Sequence, residues 1–279
     1  MIKSYSKINL FLRVLKKNSN GLHNIQSSVM LLDLHDRINI KKTNKKQDEI
    51  KFIGKFKKNI NIKNNSIIKS LNILRMYNCI SKENRFKIVV DKKIPVFSGL
   101  GGGTSNAVFF TKYFLKNKID EKLLKIFEKK IGSDFRLFFH KHSFQENLKR
   151  ILEFKKQYNF FFVLVYPNIN CSTKDIYAKV KKFNLPIKND ILNFQHKNKY
   201  LQYLQNETND LQIIVEKKHP KIKKILDLMK MQKNCLFSRM TGSGSVCFGV
   251  FLDKNSANLS LRSIKKKLPN CHCIIAKSI

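Results

Sequence analysis

The apolar positions of this chain fall into short blocks of two kinds. Residues 8–15, 28–34, 37–40 and 86–90 are compact apolar-rich stretches of strand length. Residues 65–77 instead place Ile67, Ile68, Leu71, Leu74 and Arg75 at helical spacing. Residues 104–117 repeat that spacing with Ala107, Val108, Phe110 and Phe114, and residues 122–130 form the next helix. Gly132-Ser133-Asp134 breaks that helix before a short apolar turn or helix at 135–139. The polar stretch 145–155, with Gln145, Glu146, Asn147 and Lys149, changes the character of the chain and suggests two domains, 1–152 and 153–279. Beyond it, 160–166 is the longest apolar run, a strand. Residues 210–229 are helical with an interruption at His219-Pro220. A strand at 246–251, a helix at 256–268 and a last strand at 271–276 complete the chain. Strands and helices mixed without strict alternation predict an α+β fold.

Between the strand at 86–90 and the helix at 104–117 lies Pro95-Val96-Phe97-Ser98-Gly99-Leu100-Gly101-Gly102-Gly103-Thr104-Ser105-Asn106-Ala107. Ten glycines serve the whole chain, and Gly99, Gly101, Gly102 and Gly103 cluster here. Glycine lets backbone N–H groups approach a ligand, and a loop that feeds a helix N-terminus points those donors and the helix dipole at one spot. The loop therefore reads as an anion site, or else as a plain turn. It is neither a P-loop, which needs Lys then Ser/Thr after the last glycine, nor a dinucleotide fingerprint, because Thr104 occupies the sixth position.

Composition narrows the rest. No stretch approaches the ~20 apolar residues of a membrane span, and Lys7, Asn9 and Arg13 interrupt any leader-like run at the start. The expectation is a soluble cytoplasmic protein. The six cysteines form no C-x-x-C pair, and Cys271-His272-Cys273 on a strand would point to opposite faces, so buried thiols are expected rather than a metal centre. The net charge of +37 has two readings, nucleic-acid binding or a compositional bias toward Lys, Asn and Ile that AT-rich codons produce. The lysines are spread along the whole chain, and the basic tract at 41–63 has few aromatics for base stacking, which favours bias. A positive field would still collect anionic substrates.

Three segments in order carry a family likeness: Ser6-Lys7-Ile8-Asn9-Leu10-Phe11-Leu12 with Asn20-Gly21-Leu22-His23, the glycine loop, and Met240-Thr241-Gly242-Ser243-Gly244-Ser245. With L-x-D between the first two and G-x-D at Gly132-Ser133-Asp134, the chain resembles the GHMP kinase superfamily over almost its full length. Within it, the chain is most similar to the branch that phosphorylates a cytidine-diphosphate-linked alcohol in non-mevalonate isoprenoid precursor biosynthesis. The resemblance implies a two-domain GHMP kinase fold: a ribosomal-S5-like N-terminal domain that holds ATP and an α/β sandwich C-terminal domain. It also implies a small-molecule cytidine diphosphate substrate, Mg²⁺ with the ATP, no nucleic acid or membrane partner, and a monomer or weak homodimer. The alternatives are a GHMP kinase for another small alcohol and a basic nucleic-acid-binding protein.

The resemblance also assigns roles. Asp134 matches the catalytic aspartate, a general base for the hydroxyl proton. Lys7 matches the lysine that neutralises charge near the transferred phosphoryl. Val96, Phe97, Ser98, Gly99, Leu100, Gly101, Gly102, Gly103, Thr104, Ser105 and Asn106 would wrap the triphosphate, and Asn65 would lie near the adenine. His23 and Tyr177 would read and stack the cytosine, with Asn9 and Thr173 as polar neighbours, and Thr241, Gly242 and Gly244 would close the site. No carboxylate stands out as a metal ligand. Leu22 departs from the tyrosine usual before the histidine, segment 146–149 lacks a usual glycine, and Ser133 replaces an alanine.

Overall fold

The computed structural model describes residues 1–19 and 21–279. Asn20, the first residue of the motif that ends in His23, lies outside the described residues. In chain order the elements are β1 (Ile2–Asn9), β2 (Arg13–Lys17), β3 (His23–Thr43), β4 (Glu49–Ile53), α1 (Ser66–Met76), β5 (Arg85–Asp91), α2 (Gly102–Leu115) and α3 (Glu121–Ile131). Next come β6 (His142–Gln145), β7 (Ile151–Glu153), β8 (Phe161–Tyr166), α4 (Thr173–Tyr177), α5 (Lys197–Asn206), α6 (Gln212–Lys218) and α7 (Lys221–Lys230). β9 (Ser238–Met240), β10 (Cys247–Phe251), α8 (Lys254–Lys267) and β11 (His272–Lys277) end the chain. Helices and strands are thus mixed, the α+β class expected.

The chain folds into two compact units, each drawn from separated segments. The first comprises Met1–Ser6, Leu34–Val96 and Gly101–Phe139. Here β5 pairs antiparallel with the later half of β3 and parallel with β4. Ile38, Ile88 and Val90 on these strands and Ile67, Leu71, Leu74, Ala107, Val108 and Phe110 on α1 and α2 are all buried. Asn65 caps α1, accepting from the N–H groups of Ile67 and Ile68. Asp120 does the same for α3, whose Phe127 stacks on Phe135 at 4.8 Å between ring centroids. α2 begins at Gly102, two residues earlier than the apolar spacing predicts, because the spacing registers only side chains and its first turn is glycine.

The second unit comprises Lys7–Asp33, Phe97–Leu100 and His140–Ile279. The early half of β3 pairs with β2 and β6, and β6 with β7. A separate antiparallel sheet runs β11-β8-β10-β9. β8 lies inside that sheet, so its apolar run is nearly continuous. α7 turns Ile222, Ile225, Leu226 and Met229 into a core that includes Val163, Val165, Phe251 and Ile264. The interruption at His219-Pro220 separates α6 from α7 as expected.

The structure differs from the sequence expectation at the N-terminus. β1 starts at Ile2, and the block at 8–15 is split between β1 and β2. Before Lys7 the buried residues of β1 are Ser4 and Ser6, both fully buried, so no apolar alternation marks its first part. Blocks 28–34 and 37–40 belong to the single 21-residue strand β3. Asp36 between them resembles a turn residue but is fully buried and hydrogen-bonded. The polar stretch around 145–155 holds the hairpin β6–β7.

Candidate active site

The glycine loop is positioned at each end by backbone geometry. Gly99 and Gly101 take φ of +82° and +71°, a region that side chains disfavour. α2 opens on Gly101 with no side-chain cap, and its first intrahelical bond runs from Ser105 N to Gly101 O at 2.8 Å. The N–H groups of Gly102, Gly103 and Thr104 therefore have no acceptor within the helix. A Cβ on Gly103 would meet no atom within 4 Å, so the first turn is open on that side. A Cβ on Gly132 would lie 3.8 Å from Thr104 Oγ1, which sets the Gly132-Ser133-Asp134 turn beside the start of α2. Half-buried Asp134 sits in the first turn of a 3-10 segment, Ser133–Phe139.

Ser105 and Asn106 face inward. Ser105 Oγ donates to Tyr5 O at 2.5 Å and shares a 2.7 Å hydrogen bond with Ser4 Oγ. Asn106 Nδ2 donates to Ser4 Oγ and Asp36 Oδ2, both at 2.9 Å. Both residues fix the loop from below. Asn65 spends its side-chain amide on the entrance to α1, donating to Asn61 O and Ile62 O besides its capping bonds.

In the second unit, parts of three sequence-predicted segments come together. Lys7 is 4% exposed at the end of β1. Its backbone N–H donates to Leu100 O at 3.0 Å, and its Nζ donates to Asn9 Oδ1 at 2.6 Å. Asn9 N donates to Thr241 Oγ1 at 2.9 Å, and Asn9 Nδ2 to Ser27 Oγ at 2.8 Å. Val246 N donates to Ser98 O at 3.1 Å. Gly99 packs so closely on the second glycine loop that a Cβ there would come 2.2 Å from Thr241 O. A Cβ on Gly242 would lie 3.3 Å from Gly99 O. Lys7, Asn9, Ser98–Leu100 and the 241–244 loop thus share one location.

Asn209 holds the second loop, and the sequence reading missed it. Its Nδ2 donates to Met240 O at 2.7 Å and Gly242 O at 2.8 Å, gripping the carbonyls on either side of Thr241. In sequence it is one polar residue before a helix, where capping is the ordinary explanation. Arg239 adds bonds to three carbonyls, those of Leu10, Leu204 and Glu207. Burial pushes its guanidinium down to about 10, still charged at neutral pH.

His23 forms an aromatic cluster with Tyr177 at 5.1 Å and Phe183 at 6.3 Å between ring centroids. Desolvation first, and then the charge of Lys17, lowers its pKa, so the imidazole is neutral near pH 7. Thr173, at the start of α4, shares a 2.9 Å hydrogen bond with Ser243 Oγ, which ties the helix carrying Tyr177 to the second glycine loop. Leu22 is 50% exposed beside this cluster in sequence. Phe183 is half exposed in a loop without periodicity, and its only advance signal was an aromatic among lysines.

Among the described residues, no group of three His, Cys, Asp or Glu side chains is placed to hold a metal, and all six cysteines are free. No helix among them is long and apolar enough to cross a membrane.

The chain is a small-molecule kinase of the GHMP class. Family models agree: GHMP kinases N terminal domain matches residues 65–134 and GHMP kinases C terminal matches residues 187–270. A 4-diphosphocytidyl-2-C-methyl-D-erythritol kinase of Pelagibacter ubique (strain HTCC1062) is 39% identical over 100% of this chain and 98% of its own. The protein of the same name from Buchnera aphidicola subsp. Schizaphis graminum (strain Sg) is 34% identical over 99% and 92%. The chain belongs to the 4-diphosphocytidyl-2-C-methyl-D-erythritol kinase family. In fold it is similar to a solved 4-(cytidine 5'-diphospho)-2C-methyl-D-erythritol kinase, with a TM-score of 0.76 at 18% identity over 99% of this chain and 97% of that one. It is also similar in fold to the Methanococcus jannaschii mevalonate kinase, with a TM-score of 0.66 at 18% identity over 100% and 98%.

Proposed function

We propose that the protein transfers the γ-phosphoryl group of ATP to the 2-hydroxyl of 4-diphosphocytidyl-2-C-methyl-D-erythritol, releasing ADP and the 2-phosphate, a step of non-mevalonate isoprenoid precursor biosynthesis. The observation that carries this reading is the meeting of Lys7, Asn9, Ser98–Leu100 and the 241–244 loop, on a chain whose whole length belongs to this kinase family.

Phosphoryl transfer runs on positioning and charge neutralisation. The N–H groups of Gly102, Gly103 and Thr104 bind phosphate oxygens, and the remaining residues of 96–106 shape the loop around them. Lys7, held by Asn9, neutralises negative charge as it develops on the transferred group. Asp134 accepts the proton of the 2-hydroxyl, whose oxygen bonds to the γ-phosphorus while the bond to the β–γ bridging oxygen breaks. Thr241, Gly242 and Gly244 complete the enclosure. Asn65 acts near the adenine by ordering residues 61–65. Tyr177 and Phe183 flank the cytosine beside His23, Phe183 supplying the aromatic face that Leu22 lacks, and Thr173 sets the helix that carries Tyr177.

Mg²⁺ would be held by the phosphate oxygens and water together with the Thr104 hydroxyl at the start of α2, an oxygen donor that suits a hard cation. It would supply charge neutralisation on the phosphates. The six free cysteines suit a reducing cytoplasm. We also propose a monomer or weak homodimer without nucleic acid, and a domain division near 152/153 that falls between the two matched family segments.

The test is ADP release by purified protein with Mg·ATP and each of four alcohols: the cytidine diphosphate substrate, mevalonate, homoserine and galactose. A kcat/KM at least a hundredfold higher for the cytidine compound is expected. Preference for any of the other three would overturn the substrate assignment.

A further inference from the structure

We propose that Asp36 is a positioning residue for the nucleotide loop, one buried carboxylate that ties the chain entering the loop to the helix leaving it. The inference rests on the ATP-binding reading of residues 96–106. Asp36 is 0% exposed. On the entry side, its Oδ1 accepts from Lys93 N at 2.7 Å and Ile94 N at 2.9 Å, just before Pro95. On the exit side, its Oδ2 accepts from Asn106 Nδ2 at 2.9 Å, in the second turn of α2. Lys92, 2% exposed, pairs with the same carboxylate and donates to Asn106 Oδ1 at 3.0 Å.

The first turn of α2 rests on this cluster. A Cβ on Gly102 would come within 2.9 Å of Ile94 Cγ2 and 3.5 Å of Lys92 Nζ. The carboxylate therefore fixes the span between the two ends of the loop and the direction in which the N–H groups of Gly102, Gly103 and Thr104 point. Donors aimed in advance need no reorganisation when charge arrives. Stability alone explains the pair poorly, since well-packed apolar residues commonly replace a buried ion pair without loss. Here both carboxylate oxygens are committed to the ends of one functional loop.

The experiment compares wild type, Asp36→Asn and the neutral pair Asp36→Asn with Lys92→Met, each shown folded by circular dichroism. ATP affinity is read by calorimetry with Mg·ATP, and both KM values by kinetics. In Asp36→Asn, ATP binding should weaken at least tenfold while KM for the alcohol stays within twofold. In the neutral pair no buried charge is left unmatched: the introduced amide keeps an oxygen acceptor for the N–H groups of Lys93 and Ile94, and its NH2 donates to Asn106 Oδ1, which loss of the Lys92 ammonium frees and a turn of the Asn106 amide brings round, so ATP affinity should return to within threefold of wild type. A folded Asp36→Asn with unchanged ATP affinity, or with equal losses toward both substrates, would overturn the proposal. Should Asp36→Asn not fold, a folded neutral pair binding ATP more than tenfold more weakly would overturn it too. Wild type that binds no ATP would instead defeat the ATP-binding reading. The bridge is then read without nucleotide, as hydrogen exchange at Lys93 and Ile94 at least tenfold faster in Asp36→Asn, and unchanged exchange there would sink it.

Discussion

Replacing Gly103 by alanine separates folding from function. Gly103 lies in the first turn of α2, its φ is not positive, and an added Cβ would touch nothing within 4 Å. For folding alone, alanine is the better residue, by about 0.5–1 kcal/mol over glycine inside a helix. The variant is therefore expected to unfold at a higher urea concentration, with a gain of about 0.5 kcal/mol because the site is at the helix start. Under the proposed function, its Cβ would also stand beside the backbone N–H groups that phosphate oxygens approach. A tenfold rise in KM for ATP, equivalent to about 1.4 kcal/mol, is expected with KM for the alcohol unchanged. Gly99→Ala provides the contrast: φ is +82° and the Cβ would strike Thr241 O at 2.2 Å. Conformational strain alone costs about 1–3 kcal/mol there, and the clash is with backbone that cannot swing aside. Urea unfolding and steady-state kinetics on both variants are sufficient. A Gly103→Ala protein that is more stable and keeps its wild-type KM for ATP would refute the claim that phosphate approaches this turn.

Two further outcomes follow from buried and half-buried aromatic groups. His142 is wholly buried, stacked on Phe154 at 3.8 Å and bonded to Ser28 and Tyr200, and burial pushes its imidazole down to about 3. The folded state thus excludes its proton, so this group does not alter stability above its ordinary value of 6.5. Stability falls as pH drops from there toward 3, by about 1.4 kcal/mol per pH unit. Urea midpoints at pH 7, 6 and 5 should fall more steeply in wild type than in His142→Phe, and parallel curves would show that His142 is not kept neutral. At the aromatic cluster proposed to hold cytosine, Phe183→Ala should raise KM for the cytidine substrate about tenfold, since one stacked base is worth roughly 1–3 kcal/mol. KM for ATP should not move, and an equal change in both would remove Phe183 from the base site.

Legibility in the sequence followed the kind of side chain that each element buries. α1, α3 and α7 turn apolar stripes inward and could be read from spacing, as could β8, whose inner position makes it almost wholly apolar. β1 could not, because it buries serines, and β3 looked like two strands because Asp36 sits buried midway. The five-residue α4 carried too few apolar repeats to register. At the site, glycine and motif order pointed to Lys7, the two loops and His23. Asn209, Phe183 and Asp36 act through partners far away in sequence: Asn209 grips carbonyls at 240 and 242, Phe183 faces His23, and Asp36 reaches 93, 94 and 106. Only folding discloses such pairings.

The central claim is tested most directly by following the phosphoryl group itself. Purified wild type and Asp134→Asn are incubated with Mg·ATP and 4-diphosphocytidyl-2-C-methyl-D-erythritol, and ³¹P NMR tracks product and ADP. Wild type should give a new phosphate monoester at the 2-hydroxyl in step with ADP. Asp134→Asn should be slower by about 10²–10⁴-fold, the usual contribution of a general base, with ATP binding within threefold of wild type. No phosphoryl transfer to this alcohol by folded, ATP-binding wild type, or an Asp134→Asn variant as fast as wild type, would contradict the account.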